Sequence, residues 1–183
     1  MPKILSISGS LRAESSNSEL LGAAEILAPE GVRIVRYAGL GELPHFNPDL
    51  LGPDGSEPLP PAVAELDALI GEADGVLISC PEYARGIPGS FKNMLDWLVG
   101  SHRFPYKPVA LFNASPRASH AQEALKLVLT TMSATLVEEA FITVPLLAKG
   151  LMAQEIAAHP ELAPIVSHAL EAFSAAVRQA ETV

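Results

Sequence analysis

The stretch KILSISGSLRAESSN, residues 3–17, passes from an apolar run into a polar loop. The run KILSIS, residues 3–8, is nearly continuous in apolar side chains, which is typical of a parallel strand covered on both faces. The loop that follows is rich in hydroxyl groups and carries one positive charge, Arg12. Ligands of an open parallel sheet bind beyond the carboxyl ends of its strands, so this loop is a candidate anion site.

Further strands are predicted after this first one. The runs DGVLIS (74–79) and KPVALFN (107–113) are also continuously apolar and predict inner strands. VRIVRY (32–37) alternates instead, which predicts a strand nearer an edge. FITV (141–144) is the expected fifth strand.

Apolar side chains at helical spacing lie between and beyond these runs and predict helices over 18–28, 62–73, 88–99, 118–132 and 161–180. Strict alternation of strands and helices predicts an α/β fold, namely a flavodoxin-like, doubly wound, five-stranded parallel sheet with helices on both faces. We expect residues 1–183 to form a single domain. The Pro- and Gly-rich segment 39–61 and the shorter 142–152 are predicted to be loops. The first is either a solvent-exposed excursion or a functional or interface-forming loop.

Composition and charge narrow the classes of function. The formal net charge of −9 argues against general nucleic-acid or anionic-membrane binding, because both need positive surface. A single cysteine, Cys80, permits no disulfide within the chain. Neither a signal peptide nor a transmembrane stretch is expected, so we predict a soluble, cytoplasmic protein. The five histidines lack the spacing of metal ligands, and we predict no metal site.

The first loop has the groups that bind a phosphate. It leads into a helix, whose first turn offers free N–H groups and partial positive charge. The G-x-G-x-x-G and G-K-[ST] patterns are absent, which favours a monophosphate over a pyrophosphate or triphosphate. The alternative is that Ser15 or Ser16 only caps the helix. The candidate donors are Ser10, Arg12, Ser15, Asn17 and Ser18.

The loops after the third and fourth strands, 80–90 and 113–120, should meet the first loop at the same edge of the sheet. Gly86 and Gly89 leave room for a flat ligand beside the backbone. Tyr83 either lies against such a ring or is an ordinary half-buried tyrosine. Glu82 either adjoins the ligand or is a surface charge, and Cys80 is expected to be a buried apolar residue.

Two motifs resemble those of the NADPH-dependent FMN reductase family, which includes bacterial quinone, chromate and azo-dye reductases. The first, G-S-L-R-x-x-S-x-N, is matched by Gly9, Ser10, Leu11, Arg12, Ser15 and Asn17. The second, P-E-Y-[NA]-x-x-[IV]-P-G-x-[LF]-K-N-x-[LI]-D-W, is matched over residues 81–97. The resemblance covers residues 3–117 well. Position 84 is commonly Asn in the family and is Ala84 here, Arg85 replaces a small or polar residue, and Pro116 stiffens the third loop.

The resemblance implies that the first loop binds the FMN phosphate, that Pro81 to Ala84 pass along the ring edge, and that the loop around Ser115 and Arg117 closes its other side. NADPH or NADH would be the co-substrate, and a quinone, free flavin, azo compound or metal oxyanion the acceptor. Arg117, or a main-chain N–H of its loop, is predicted to stabilise the charge that develops on the ring. The implied cofactor-binding residues of the second and third loops are Pro81, Glu82, Tyr83, Ala84, Gly86, Ser115 and Arg117.

Two other hypotheses remain open at this point. A flavodoxin-type electron carrier would bind FMN without turning over NAD(P)H, although carriers generally surround the ring with acidic side chains rather than a pair such as Arg85 and Arg117. A flavin-free interaction or regulatory domain could keep the same fold. The resemblance also implies a homodimer or homotetramer, with the helix that bears KNMLDW, residues 92–97, at the interface.

Overall fold

The computed structural model describes residues 1–52 and 57–180. Residues 53–56, part of the predicted loop 39–61, and residues 181–183 lie outside the described residues. The strands are β1 Lys3–Ser8, β2 Arg33–Tyr37, β3 Gly75–Ser79, β4 Pro108–Asn113, β5 Thr135–Leu136 and β6 Ile142–Thr143. The helices are α1 Ser16–Ile26, α2 Pro61–Glu72, α3 Gly89–Leu98, α4 Ser119–Thr131, α5 Ala153–Ala158 and α6 Leu162–Ala180.

The sheet is parallel, and its strand order β2-β1-β3-β4-β5 is that of the predicted doubly wound fold. The alternating strand β2 lies at an edge, as its pattern predicted, and the continuously apolar β1, β3 and β4 lie inside. Side chains of these inner strands alternate between two buried clusters. Leu5 and Ile7 face helices α2, α3 and α4, whereas Ile4 faces α1, α5 and α6. The core therefore consists of two layers, one on each face of the sheet.

The fifth strand position differs from the prediction because two short strands share it. Both β5 and β6 pair with β4, opposite Val109 and Phe112 respectively. Between them a 3-10 turn, Glu138–Ala140, exposes its two carboxylates and buries Ala140. The predicted strand 141–144 is thus the second half of an interrupted strand. The first half, Thr135–Leu136, was not predicted because the turn interrupts the apolar pattern that would indicate a strand there.

The segment before α2 is attached to α3 by side chains of the second motif. Asn93 accepts a hydrogen bond from the Phe46 N–H at 2.7 Å and donates one to the Pro44 carbonyl at 3.0 Å. The indole of Trp97 donates to the same carbonyl at 2.8 Å and meets the Phe46 ring edge-on at 5.0 Å. These motif residues therefore position the loop that precedes α2.

Helix α5 follows the predicted loop 142–152 and was not predicted. Its first turn receives two carboxylates: Glu19 accepts from the Ala153 N–H, and Glu155 accepts from the Met152 N–H, each at 2.8 Å. Buried Ile156 packs it against the α1 and α6 layer. Within residues 1–52 and 57–180, no helix has the length and apolar character that a bilayer crossing requires.

Candidate functional site

A cavity of about 360 Å³ lies beyond the carboxyl ends of β1, β3 and β4, where the three predicted loops meet. Nine of the twelve proposed binding residues line it, and Ser18, Ala84 and Gly86 do not. The lining residues are Ser10, Arg12, Ser15, Ser16, Asn17, Pro81, Glu82, Tyr83, Asn113, Ala114, Ser115, Arg117, Ala118 and Leu147.

The first and second loops approach each other at a glycine. The Gly9 N–H donates to the Ser79 carbonyl at 2.8 Å, and a Cβ at position 9 would lie 2.7 Å from the Cys80 Sγ. Cys80 is 1% exposed, and burial raises the pKa of its thiol to about 12. The thiol is therefore protonated at neutral pH and acts as a small buried side chain, as expected.

The start of α1 has unused donors. Ser15 occupies the N-cap position, yet its side chain makes no capping hydrogen bond. Although this residue is only 4% exposed and lines the cavity, its hydroxyl has no hydrogen-bond partner within the described chain. The first N–H groups of a helix also lack partners inside the helix. The cavity therefore adjoins a helix start whose donors are free for an anion.

Two predicted donors next to Ser15 have other partners. Asn17 is buried, and its side-chain oxygen accepts from the Ser79 hydroxyl at 2.9 Å, which leaves its amide N–H groups for the cavity. The hydroxyl of Ser18 lies 3.0 Å from that of Ser8, away from the cavity lining. Ser18 thus connects α1 to β1 and does not line the cavity.

The second loop contains a tight hairpin. Tyr83 and Gly86 exchange backbone hydrogen bonds of 3.1 and 3.0 Å, and the two residues between them, Ala84 and Arg85, have φ values of 50° and 60°. Two consecutive positive φ values define the type I′ class of turn. The pairing directs Ala84 and Gly86 away from the cavity lining. Tyr83, 51% exposed, lines both the cavity and an adjoining cleft.

Glu82 has a structural contact that the sequence did not reveal. Its carboxylate accepts from the Ala121 N–H at 3.0 Å, in the first turn of α4. A carboxylate is stabilised there by the partial positive charge of the helix start. Of the two helices that begin at this cavity, α4 thus has a carboxylate bound to an N–H of its first turn. Glu19, in the first turn of α1, accepts from the Ala153 N–H instead.

The third loop uses most of its own backbone donors. The Ser115 N–H donates to the side-chain oxygen of Asn113 at 3.0 Å, and the Arg117 N–H donates to the Ser115 hydroxyl at 3.2 Å. The Ala118 N–H donates to the Ser115 carbonyl, and Pro116 has no N–H. The exposed side chain of Arg117 and the N–H groups of Ser119 and His120, which have no partner inside α4, are the groups of this loop that remain for charge stabilisation.

The arginines of the three loops differ from several other cations of this chain. Arg12, Arg85 and Arg117 are exposed and form no ion pair with any carboxylate in the described ranges, while Lys3, Arg36, Lys92 and Arg103 each have one. Three cations without an ion pair thus belong to the loops that form the cavity, in a chain with net charge −9. No grouping of His, Cys, Asp and Glu in the described part of the chain has the form of a metal site.

Five lining residues were not predicted. Ser16 lies at the start of α1 and Asn113 at the end of β4. Both border loops that the sequence had already identified, so both could have been predicted. Ala114 and Ala118 contribute backbone atoms and small side chains, and neither residue belongs to a recognised motif. Leu147 comes from the segment after β6, and only the folded chain brings it to the cavity.

Comparison with known proteins agrees with this geometry. The model of the NADPH-dependent FMN reductase family matches residues 2–146. The NAD(P)H-dependent FMN reductase PA1204 of Pseudomonas aeruginosa is 38% identical over 117 residues, which are 62% of this chain and 60% of that protein. A quinone reductase of Escherichia coli K12 is 32% identical over 108 residues, 59% of this chain and 54% of its own length. These matches cover less than two thirds of each relative.

A solved structure extends the likeness over nearly the whole chain. The flavoenzyme NAD(P)H:(acceptor) oxidoreductase FerB from Paracoccus denitrificans is 27% identical, with a TM-score of 0.77 over 98% of both chains. An azoreductase from Bacillus anthracis, 19% identical over 98% of this chain and 100% of its own, shares the fold with a TM-score of 0.59. The matched residues 2–146 include all three loops of the cavity, and the chain belongs to the NADPH-dependent FMN reductase family.

Proposed function

We propose that the protein is an FMN-dependent NAD(P)H oxidoreductase that passes electrons from a reduced nicotinamide to a small-molecule acceptor. The observation that carries the proposal is the start of α1, where the free hydroxyl of Ser15 and the unpaired guanidinium of Arg12 adjoin the strand-end cavity. Relatives named quinone reductases favour a quinone as the acceptor. The other candidate electron acceptors are a free flavin, an azo compound and a metal oxyanion.

The donor set fits the phosphate of FMN. A phosphate monoester needs several hydrogen-bond donors and a positive charge, and here it would meet the first N–H groups of α1, the Ser15 hydroxyl and the fork of Arg12. Ser10 and the amide of Asn17 line the same space. Because Glu82 already contacts the start of α4, the start of α1 is the better anion site of the two.

Bound FMN would supply the two-electron chemistry between the nicotinamide and the acceptor. The protein's own part is to bind the phosphate, to shape the space between Tyr83 and the third loop, and to place the positive charge of Arg117 beside that space. A fixed cation in a partly enclosed site stabilises negative charge that develops there during reduction.

The flavodoxin-type carrier is the second candidate function. The unpaired arginines around the cavity disfavour it, since a carrier that surrounds its ring with acids would not leave this positive charge there. One experiment distinguishes the two: the visible spectrum of the purified protein, recorded with FMN and then after anaerobic NADPH. We expect flavin absorbance that stays with the protein and bleaches. Bound flavin that does not bleach would indicate the carrier, and no binding would indicate the flavin-free domain.

We also propose that the chain acts in the cytoplasm as a single FMN-binding domain and assembles as a homodimer or homotetramer. An apolar groove of about 530 Å³ at the end of α3, lined by Phe46, Leu59, Trp97 and Val99 among others, favours the assembly. Val99 is 66% exposed there. Light scattering on the purified protein would measure the mass, and a monomer would contradict this part.

Replacing Ser15 by Ala distinguishes a phosphate ligand from a helix cap. We expect FMN affinity to fall by about 1.5 kcal/mol, the low end of the range for a hydrogen bond to a charged group. The unfolding free energy of the flavin-free protein should change by less than about 0.5 kcal/mol, because the side chain makes no capping bond. Flavin titration and urea unfolding measure the two quantities. If the variant lost stability but kept its FMN affinity, Ser15 would be a helix cap and not a phosphate ligand.

Replacing Arg117 by Ala should slow reduction. The expected loss in kcat with NADPH is about tenfold, below the usual cost of losing an enclosed oxyanion donor because this side chain is exposed. The midpoint potential of bound FMN should become more negative, since a cation near the ring favours the reduced form. Stopped-flow reduction and a redox titration test this, and unchanged values in both would show that Arg117 has no such role.

A further inference from the structure

The turn at the tip of the second loop contains two unfavourable residues. Type I′ turns strongly prefer Asn, Asp and Gly at their two central positions, because both take positive φ. Here they hold Ala84 at φ 50° and Arg85 at φ 60°. A side chain with a Cβ is strained in this region, and such strain points to a function when the side chain has no structural contact.

Arg85 has no structural contact that would explain its presence. Its side chain is exposed and has neither a hydrogen bond nor an ion pair among the residues the structure describes. Unlike Arg12 and Arg117, it does not line the cavity. Its positive charge is therefore free to bind a group outside the space assigned to FMN.

We infer that Arg85 is the residue that makes the enzyme prefer NADPH, by binding the 2′-phosphate that NADH lacks. The inference rests on the proposed function. A cavity of about 360 Å³ is at the small end of ligand sites, so the adenosine half of a dinucleotide must lie outside it, across the exposed rim. The hairpin forms that rim beside Tyr83, which lines both the cavity and the adjoining cleft.

The chemistry of arginine suits this role. A guanidinium binds a phosphate monoester with two parallel hydrogen bonds, and a ribose hydroxyl offers it no charge. An exposed pair is screened by salt, so the preference for NADPH should weaken as ionic strength rises. The two arginines inside the cavity would act equally with NADPH and NADH, because both nucleotides present the same nicotinamide.

The test compares kcat/KM for NADPH and NADH in the FMN-loaded enzyme, with a neutral quinone as the acceptor so that acceptor charge has no influence. Arg85→Gly removes the charge and relaxes the turn. We expect kcat/KM for NADPH to fall about tenfold, mainly through KM, with the value for NADH close to wild type. Arg85→Lys should retain part of the preference, and high salt should reduce it in the wild type but not in Arg85→Gly.

Ala84→Gly is the matched control, because it relaxes the same turn without changing charge. It should keep the wild-type ratio of NADPH to NADH efficiency. An unchanged ratio in Arg85→Gly, or an equal fall in Ala84→Gly, would overturn the inference while leaving the reductase intact. If the wild-type enzyme turned over neither nucleotide, the proposed function would fail first, and the inference with it.

Discussion

Arg12→Ala should weaken FMN binding by about 1.5–3 kcal/mol, or roughly 10- to 150-fold in Kd. The guanidinium lines the cavity next to the start of α1 and has no carboxylate partner in the described ranges, so its loss would remove a charged hydrogen bond to the phosphate. The flavin-free protein should keep its stability, because the side chain is exposed. Titration of the apoprotein with FMN measures the Kd.

Riboflavin provides the matched ligand for this experiment, since it has the same ring and lacks the phosphate. Its affinity should be nearly the same in the wild type and in Arg12→Ala. Arg33→Ala is the matched variant, because Arg33 is an exposed arginine at the opposite end of the strands. It should leave FMN affinity unchanged. An unaltered FMN Kd in Arg12→Ala, or an equal loss for riboflavin, would refute the phosphate assignment.

Gly9→Ala should destabilise the fold by about 1–3 kcal/mol, the usual cost of overfilling a well-packed site. The new Cβ would lie 2.7 Å from the Cys80 Sγ and 3.1 Å from its Cα. The sulfur has little space to move, since Cys80 is buried, and the Cα belongs to the backbone of the second loop. The two loops that form the cavity would move apart, so FMN affinity should fall as well. Urea unfolding and FMN titration measure both effects.

A double-mutant cycle locates the cause. Cys80→Ala in the Gly9→Ala background should recover part of the stability, because it removes the sulfur contact and leaves the backbone contact. Gly100→Ala is the control, since its added Cβ has nothing within 4 Å. Wild-type stability in Gly9→Ala would show that the loops are not held together at this point.

Local patterns were enough to predict the inner sheet and the edge of the sheet at which the cavity lies. Continuous apolar runs identified β1, β3 and β4, and the carboxyl ends of parallel strands necessarily share one edge, so the three loops had to meet. The family motifs then predicted most of the cavity lining. The bounds of the predicted helices differ from the observed ones by at most two residues, because fraying ends carry weak signals.

The role of each hydroxyl and carboxylate depended instead on residues far apart in the chain. The sequence alone showed that hydrogen-bond donors cluster in the loop after β1. Only the folded chain decided that Ser15 is free and that Ser18 faces Ser8. It likewise placed Glu82 against Ala121, across 39 positions of sequence. Hydrophobic periodicity is local and can be predicted from neighbouring residues, whereas a hydrogen bond needs two groups within about 3 Å, a distance that tertiary packing sets.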